Sequence, residues 1–588
     1  YYRIKILTDE GKKYADVKVA YDNAYSHVTD IKGRTIHSDG TVILFEGKAL
    51  DGTMFKTKRL KILAKTFTLP DVQVGSIIEY KYTVRTDPGW AFPARWSVQE
   101  DMFQKRAKFS FAPFKHEVLV GGLNGSEVGY TTYLPQGSKI VKKYDHFDLE
   151  VSDVPAFVEE EYSPPADDLK YRVRFYYERG DIRTVGDFWR YESRDWSDSV
   201  SKFMSRSSYI EDQARQGFAP SDSPEQKLRK IYARVQQIDN LTYKRQRSTQ
   251  EQKATNYRDN KNVEDVLRQN AGYHNDLTRL FVAMARAAGV DAKVARVSTR
   301  DENFFSDQLL DFGQLNSEVA LVKLDGKDVY LDPGTRFCPF GLLEWRRSGV
   351  KGLVESKGDA QFITTSFPEL KNAMVQRVAA FNLAQDGSLK GKVRLVFTGQ
   401  EALWRRLEEN DDDDTGRTKN LEDELRQILP ASATIHLDDA KGWTSTEEPL
   451  DAVFSVEVPG YASSTGKRLL LTTEIFQANS KQAFVHEKRT NPVYFEYPHR
   501  TFDMVTINVP PSLQIEDLPK EHKVIEDFAG YLSHYESQGQ KVVLRRQLDV
   551  AGMMFPVNTY PRVKTFYEQV KSSDDEAAVL RVAQVAKN

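Results

Sequence analysis

One thiol and one isolated imidazole bound the chemistry available to the middle of this 588-residue chain. Cys338 is the only cysteine, so neither an internal disulfide nor a cysteine-rich zinc site can form. A small buried apolar residue is the favoured reading of Cys338, ahead of a nucleophile. His274 is the only histidine between His146 and His436. A lone histidine at a helix start reads first as a structural hydrogen-bonding residue and second as a ligand contact. A further candidate is acidic. Asp411, Asp413, Thr415, Gly416 and Glu422 fall at positions 1, 3, 5, 6 and 12 of a calcium-loop pattern. Thr415 is an atypical ligand, and Thr418 stands where an apolar residue belongs. A solvated loop is therefore favoured over calcium, and no metal or other cofactor is expected.

The elements around His274 are well marked. Leu277, Leu280, Phe281, Met284 and Ala288 recur with the period of a buried helix face. Gly272, Asn275 and Asp276 stand at its start, and Gly289 just past its end. The spacing predicts a helix from 275, a strand Lys293–Thr299, and a hairpin of Val319–Leu324 with Val329–Leu331 around Asp325-Gly326. Asp332-Pro333-Gly334 closes that hairpin. A helix N-terminus aimed at an antiparallel sheet is the layout of a papain-like site.

The stretch resembles the transglutaminase-like superfamily in its bacterial multidomain branch. That family places Gly-Asp-Cys-x-Asp at the helix start, Asn-His at the first hairpin strand and Leu-Asp-Pro after the second. Here those motifs read Gly272-Tyr273-His274-Asn275-Asp276, Asn316-Ser317 and Leu331-Asp332-Pro333. The resemblance implies that the nucleophile position is held by His274, the base position by Ser317 and the acid position by Asp332. It also implies a ligand cleft around Tyr273, His274, Asn275, Asn316 and Ser317. A helix N-terminus favours a thiolate but disfavours a protonated imidazole. The substituted set therefore has no acyl carrier and no base near neutral pH. His, Ser and Asp are the residue types of a serine hydrolase, but in the family frame Ser317 stands in the middle. Asp332 would then face Ser317 and could not orient His274 as a relay requires.

The rest of the chain reads as a multidomain α+β protein. Residues 1–176 alternate as strands, with turn signals at Ser38-Asp39-Gly40, Asp51-Gly52 and Asp87-Pro88-Gly89, and suggest one N-terminal β-sandwich. The segment TLPDVQVGSIIEYKYTV resembles the uncharacterised β-sandwich domain preceding the core in the same branch. Residues 177–215 read as a helical linker. Residues 216–365 form the papain/transglutaminase-like core, led by a helix with Ser223 as N-cap, Pro224 at N1 and Gln226 completing a capping box. Residues 366–588 read as a C-terminal β-sandwich region, with an Asp386-Gly387 hairpin, a helical insertion at 400–429 and a terminal helix.

A net charge of −2 argues against a nucleic-acid partner. No apolar run reaches the roughly 20 residues of a transmembrane helix. The start at Tyr1, already in strand pattern, suggests a processed or truncated chain. The resemblance places the protein in the bacterial envelope, periplasmic or secreted. It implies a catalytically degenerate module that binds a protein, peptide or glycan. The rival is a hydrolase or acyltransferase using His274, Ser317 and Asp332 unconventionally.

Overall fold

A computed structural model describes residues 1–21, 26–56, 61–86, 94–113, 127–178, 182, 184–244 and 258–583. Its architecture is multidomain α+β. The N-terminal region divides into two small sandwiches where one was expected. In the first, strands Tyr2–Lys5, Ile77–Thr86, Ser26–Ile36 and Val42–Leu44 face Asp16–Tyr21, Lys61–Thr68 and Leu50–Lys56. They enclose Ile6, Val17, Val19, Phe67 and Ile78. In the second, Trp96, Val98, Phe147, Leu149, Val173 and Phe175 form a separate core. Alternation reports that one strand face is buried; it does not report which sheets share a core. Gly40 turns with φ +90° as expected, whereas Asp51-Gly52 lies inside a strand, with Gly52 paired to Ala64. The turn expected at Asp87-Pro88-Gly89 falls outside the described residues.

The central unit packs helices on a five-stranded antiparallel sheet. Its strand order is Lys327–Leu331, Ser317–Leu324, Ala292–Val297, Lys351–Val354 and Gln361–Thr364. The hairpin loop has two residues, Asp325 and Gly326, both with positive φ (49° and 78°), which matches the strand twist. Helix Pro224–Val235 opens with the capping box: Gln226 N–H donates to Ser223 Oγ (3.2 Å) and Ser223 N–H to Gln226 Oε1 (2.8 Å). Helix His274–Ala287 buries Leu277, Leu280, Phe281 and Met284, each worth about 1.5–3 kcal/mol of apolar transfer.

The segment expected to be a linker is part of this unit. Helices Val185–Phe203 and Ser208–Arg215 contribute Trp196, Val200, Ile210 and Ala214 to the cluster containing Leu277 and Phe281. Their apolar stripes are visible in the sequence; the surface that receives them is not.

The C-terminal unit faces an eight-stranded sheet with a four-stranded one. The Asp386-Gly387 hairpin forms, with Leu383 paired to Leu389 and Gly387 at φ +83°. The expected insertion is two helices, Gln400–Glu408 and Asp414–Ile428. Among the described residues the tail does not end as a helix. Helix Tyr560–Asp574 is followed by strand Ala577–Val582, which enters the four-stranded sheet between Arg468–Thr472 and Leu513–Asp517. Ala578 and Leu580 alternate inward there, a two-residue period hidden behind a helical run.

This unit also buries charge. Arg377 forks onto Asp503 (2.6 and 2.7 Å), and Arg546 onto Asp574 (2.7 and 2.8 Å). Glu474 is 1% exposed and neither carboxyl oxygen has a hydrogen-bond partner; Arg546 Nε is 3.8 Å away. Burial, reinforced by Asp503, pushes the Glu474 acid well above the carboxylate range. The unfolded chain ionises Glu474 above about pH 4.3 while the folded chain keeps it protonated, so stability falls as pH rises. Glu474→Gln, which removes the protonation that folding imposes, is expected to stabilise the C-terminal unit at pH 8 by about 1.4 kcal/mol or more, roughly the worth of one pKa unit. It should have little effect at about pH 4, below the carboxyl pKa. Urea unfolding at both pH values measures this, and equal effects at both would contradict it.

Candidate functional site

The helix carrying His274 starts one residue earlier than expected. The preceding helix, Val263–Gln269, is capped by Asn262 and ends on Asn270 in the left-handed conformation (φ 49°). The chain then turns, Tyr273 N–H donates to Asp276 Oδ2 (3.2 Å), and His274 N–H donates to Thr242 Oγ1 (2.7 Å). Asp276 therefore serves the first turn from its third position. His274 lies beneath this turn and is buried.

His274 Nε2 is 2.8 Å from the Glu318 carbonyl oxygen, 3.3 Å from Ser317 Oγ and 3.7 Å from Asp332 Oδ1. A carbonyl can only accept, so Nε2 carries the hydrogen. The unprotonated Nδ1 is buried with no partner. It faces Gly334, where a Cβ would lie 2.8 Å from Nδ1 and 2.4 Å from the His274 carbonyl. Only glycine permits this approach. The spatial order differs from the expected one: His274, not Ser317, stands beside both other members. The contacts nevertheless converge on one nitrogen that is already donating. A relay needs the two ring nitrogens to serve the two partners separately.

Ser317 is engaged from its other side by Arg347, which closes the short turn Trp345–Arg347. Arg347 Nε donates to Ser317 Oγ (2.6 Å), and Nη1 donates to Thr335 Oγ1 (3.1 Å) and Glu344 Oε2 (2.9 Å). Nη1 is also 3.5 Å from Asp332 Oδ2. Asp332 Oδ2 further accepts from Thr335 Oγ1 (2.9 Å) and Glu344 N–H (3.3 Å). Burial, with Arg347 nearby, lowers the His274 pKa to about 4, although Asp332 opposes this. Sequence reasoning passed over Arg347 and Glu344. The available signal was indirect: a buried Asp332 needs a cation, and Arg346-Arg347 follows within the same unit.

The expected cleft residues separate. Tyr273 and Asn316 are exposed, Asn275 is half-buried, and His274 and Ser317 are enclosed. The Asn316 side chain is committed to Thr299, accepting from its N–H (3.0 Å) and donating to its Oγ1 (2.9 Å). Cys338 is fully buried, its thiol donates to Leu342 O (3.3 Å), and burial pushes its pKa well up.

The calcium-loop residues are likewise dispersed among other tasks. Asp413 caps helix Asp414–Ile428 by accepting from Gly416 N–H (2.8 Å). Glu422 accepts from Leu437 N–H (2.9 Å), and Asp411 accepts from Asn410 Nδ2 (3.0 Å). With Thr415 and Glu422 both inside that helix, the loop of a calcium site cannot close around an ion.

Comparison with known proteins agrees with this architecture. Residues 211–327 match the transglutaminase-like superfamily. Residues 1–158 and 467–580 match two domains of unknown function, DUF3857 and DUF3858. A "putative protease" from Parabacteroides distasonis superposes with a TM-score of 0.56 at 13% identity, covering 99% of this chain and 94% of its own. A "putative cysteine protease" from Cytophaga hutchinsonii reaches a TM-score of only 0.16 at 9% identity, over 58% of this chain and 88% of its own, and carries no weight. No curated protein gives a significant match.

Two outcomes follow from the electrostatics. Arg347→Met should cost about 3–5 kcal/mol, because it leaves buried Asp332 without a guanidinium and Glu344 with Arg346 alone. Adding Asp332→Asn should recover part of that loss; urea unfolding of both variants checks it. His274 stays neutral when folded down to about pH 4. The unfolded chain protonates it below about 6.5, so its contribution is intact above that pH and is lost as pH falls through the interval. The loss should approach about 3 kcal/mol, and it should vanish in His274→Gln when unfolding is compared at pH 7 and pH 4.

Proposed function

We propose that the transglutaminase-like core of this chain is catalytically degenerate and serves as a binding or scaffolding module. One observation carries the reading: His274 Nε2 is committed as a donor to the Glu318 carbonyl at 2.8 Å. With that hydrogen on Nε2, the ring nitrogen beside Ser317 cannot take the serine proton, and the free nitrogen faces Gly334. Arg347 adds to this by donating to Ser317 Oγ at 2.6 Å. Cys338 offers no substitute, being buried with its thiol pKa raised. The ligand of such a module is a protein, peptide or glycan, and its setting is the bacterial envelope; both rest on the family resemblance.

The rival reading, a hydrolase or acyltransferase, draws on the mutual proximity of His274, Ser317 and Asp332. Wild-type protein treated with a fluorophosphonate and with iodoacetamide separates the two, read by intact mass and peptide mapping. No adduct at Ser317 or Cys338 is expected between pH 6 and pH 9, the range in which a catalytic base or thiolate titrates. A fluorophosphonate adduct on Ser317 would overturn the degenerate reading.

A further inference from the structure

A cavity of about 900 Å³ opens where the second N-terminal sandwich, the core and the C-terminal unit meet. It is separate from the buried His274 cluster. Segments 157–166, 300–301, 345–346 and 494–499, together with Glu401, form its walls. Six carboxylates line it against two guanidiniums. Both guanidiniums are already engaged. Arg300 donates to Trp345 O (2.9 Å), Ser348 O (2.9 Å), Tyr494 OH (2.5 Å) and Glu496 O. Arg346 pairs with Asp301 (2.9 Å) and Glu344 (3.0 Å).

Three of the carboxylates also have structural work. Asp301 holds Arg346, Glu401 holds Arg405 (2.8 Å) and accepts from Tyr497 OH (3.1 Å), and Glu160 accepts from Asn491 N–H (2.8 Å). Glu159, Glu161 and Glu496 have no side-chain hydrogen bond or ion pair among the described residues, and all three are exposed.

We propose that this cavity binds a basic peptide segment, with lysine or arginine side chains set between apolar ones. The three unengaged carboxylates supply the charge partners. Tyr162 and Phe157 supply apolar wall, and the volume is at the upper end for a single small ligand. A neutral glycan fits less well. The Trp345 ring, the flat platform a sugar would stack on, is already faced by the guanidiniums of Arg300 (5.2 Å) and Arg346 (5.0 Å). A sugar would also leave the three carboxylates uncompensated.

This deepens the binding-module reading and rests on it for its purpose, while its measurement is independent. Ser317 labelling would overturn degeneracy without touching the peptide titration, and the reverse also holds. The probe is a fluorescein-labelled hexapeptide of alternating lysine and leucine, titrated by anisotropy against the whole chain. Saturable binding is expected, weakened about tenfold or more by Glu159→Gln/Glu161→Gln/Glu496→Gln and by raising NaCl from about 0.05 M to about 0.5 M. The single exposed change Glu161→Lys should also weaken it and keeps the test valid if the triple variant unfolds. The glutamate–leucine counterpart and chitotetraose should not compete. Absence of binding, equal binding by these variants, or competition by either control would each overturn the proposal.

Discussion

The arrangement around the hairpin depends on one buried cation. Asp332 is fully enclosed and Glu344 nearly so, and Arg347 is the guanidinium that lies against both. A buried carboxylate without a partner is too costly to keep charged. Once the neighbouring imidazole is held neutral by burial, by the positive helix end and by Arg347 itself, the compensating charge must be permanent. Arginine supplies it, and its planar fork also reaches Ser317 and Thr335.

Glu318 ties this cluster to the scaffold. Its carbonyl accepts from His274, while its fully buried carboxylate accepts from Trp196 Nε1 (2.9 Å) and forks with Arg279 (2.7 and 2.6 Å). One residue at the start of a strand thus joins helices Val185–Phe203 and His274–Ala287 to the sheet. That is the physical reason the first of these helices belongs to the core: detaching it would strand a buried indole N–H and loosen the helix that presents His274.

The turn bearing Arg347 is braced from the next domain. Gln400 accepts from Trp345 N–H (3.2 Å) and donates to Leu343 O (2.6 Å), so helix Gln400–Glu408 docks onto the loop before Arg347. Arg300 reaches Tyr494, and Arg489 donates to Glu161 O (2.6 Å) and Ser163 Oγ (3.0 Å). These interdomain bonds form the rim of the junction cavity, which places that cavity beside the Trp345–Arg347 turn. Arg300 serves both, donating to Trp345 O and Ser348 O on either side of Arg347 and to Tyr494 OH in the cavity wall.

The sequence alone determined what depends on residues close in the chain. The helix face from Leu277 to Met284, the box at Ser223 and Gln226 and the two-residue turn at Asp325-Gly326 were all legible, because periodicity, capping and turn conformation are short-range. Tertiary structure decided what depends on partners far apart. It set the number of N-terminal sandwiches, the docking of helices 185–215, the strand Ala577–Val582 behind a helical tail and the fate of Asp413 as a cap. It also set the His274 tautomer, through a carbonyl 44 residues away, and made Arg347 the partner of Asp332. A buried charge specifies that it must be paired, but only the packing of distant segments selects the residue that pairs it.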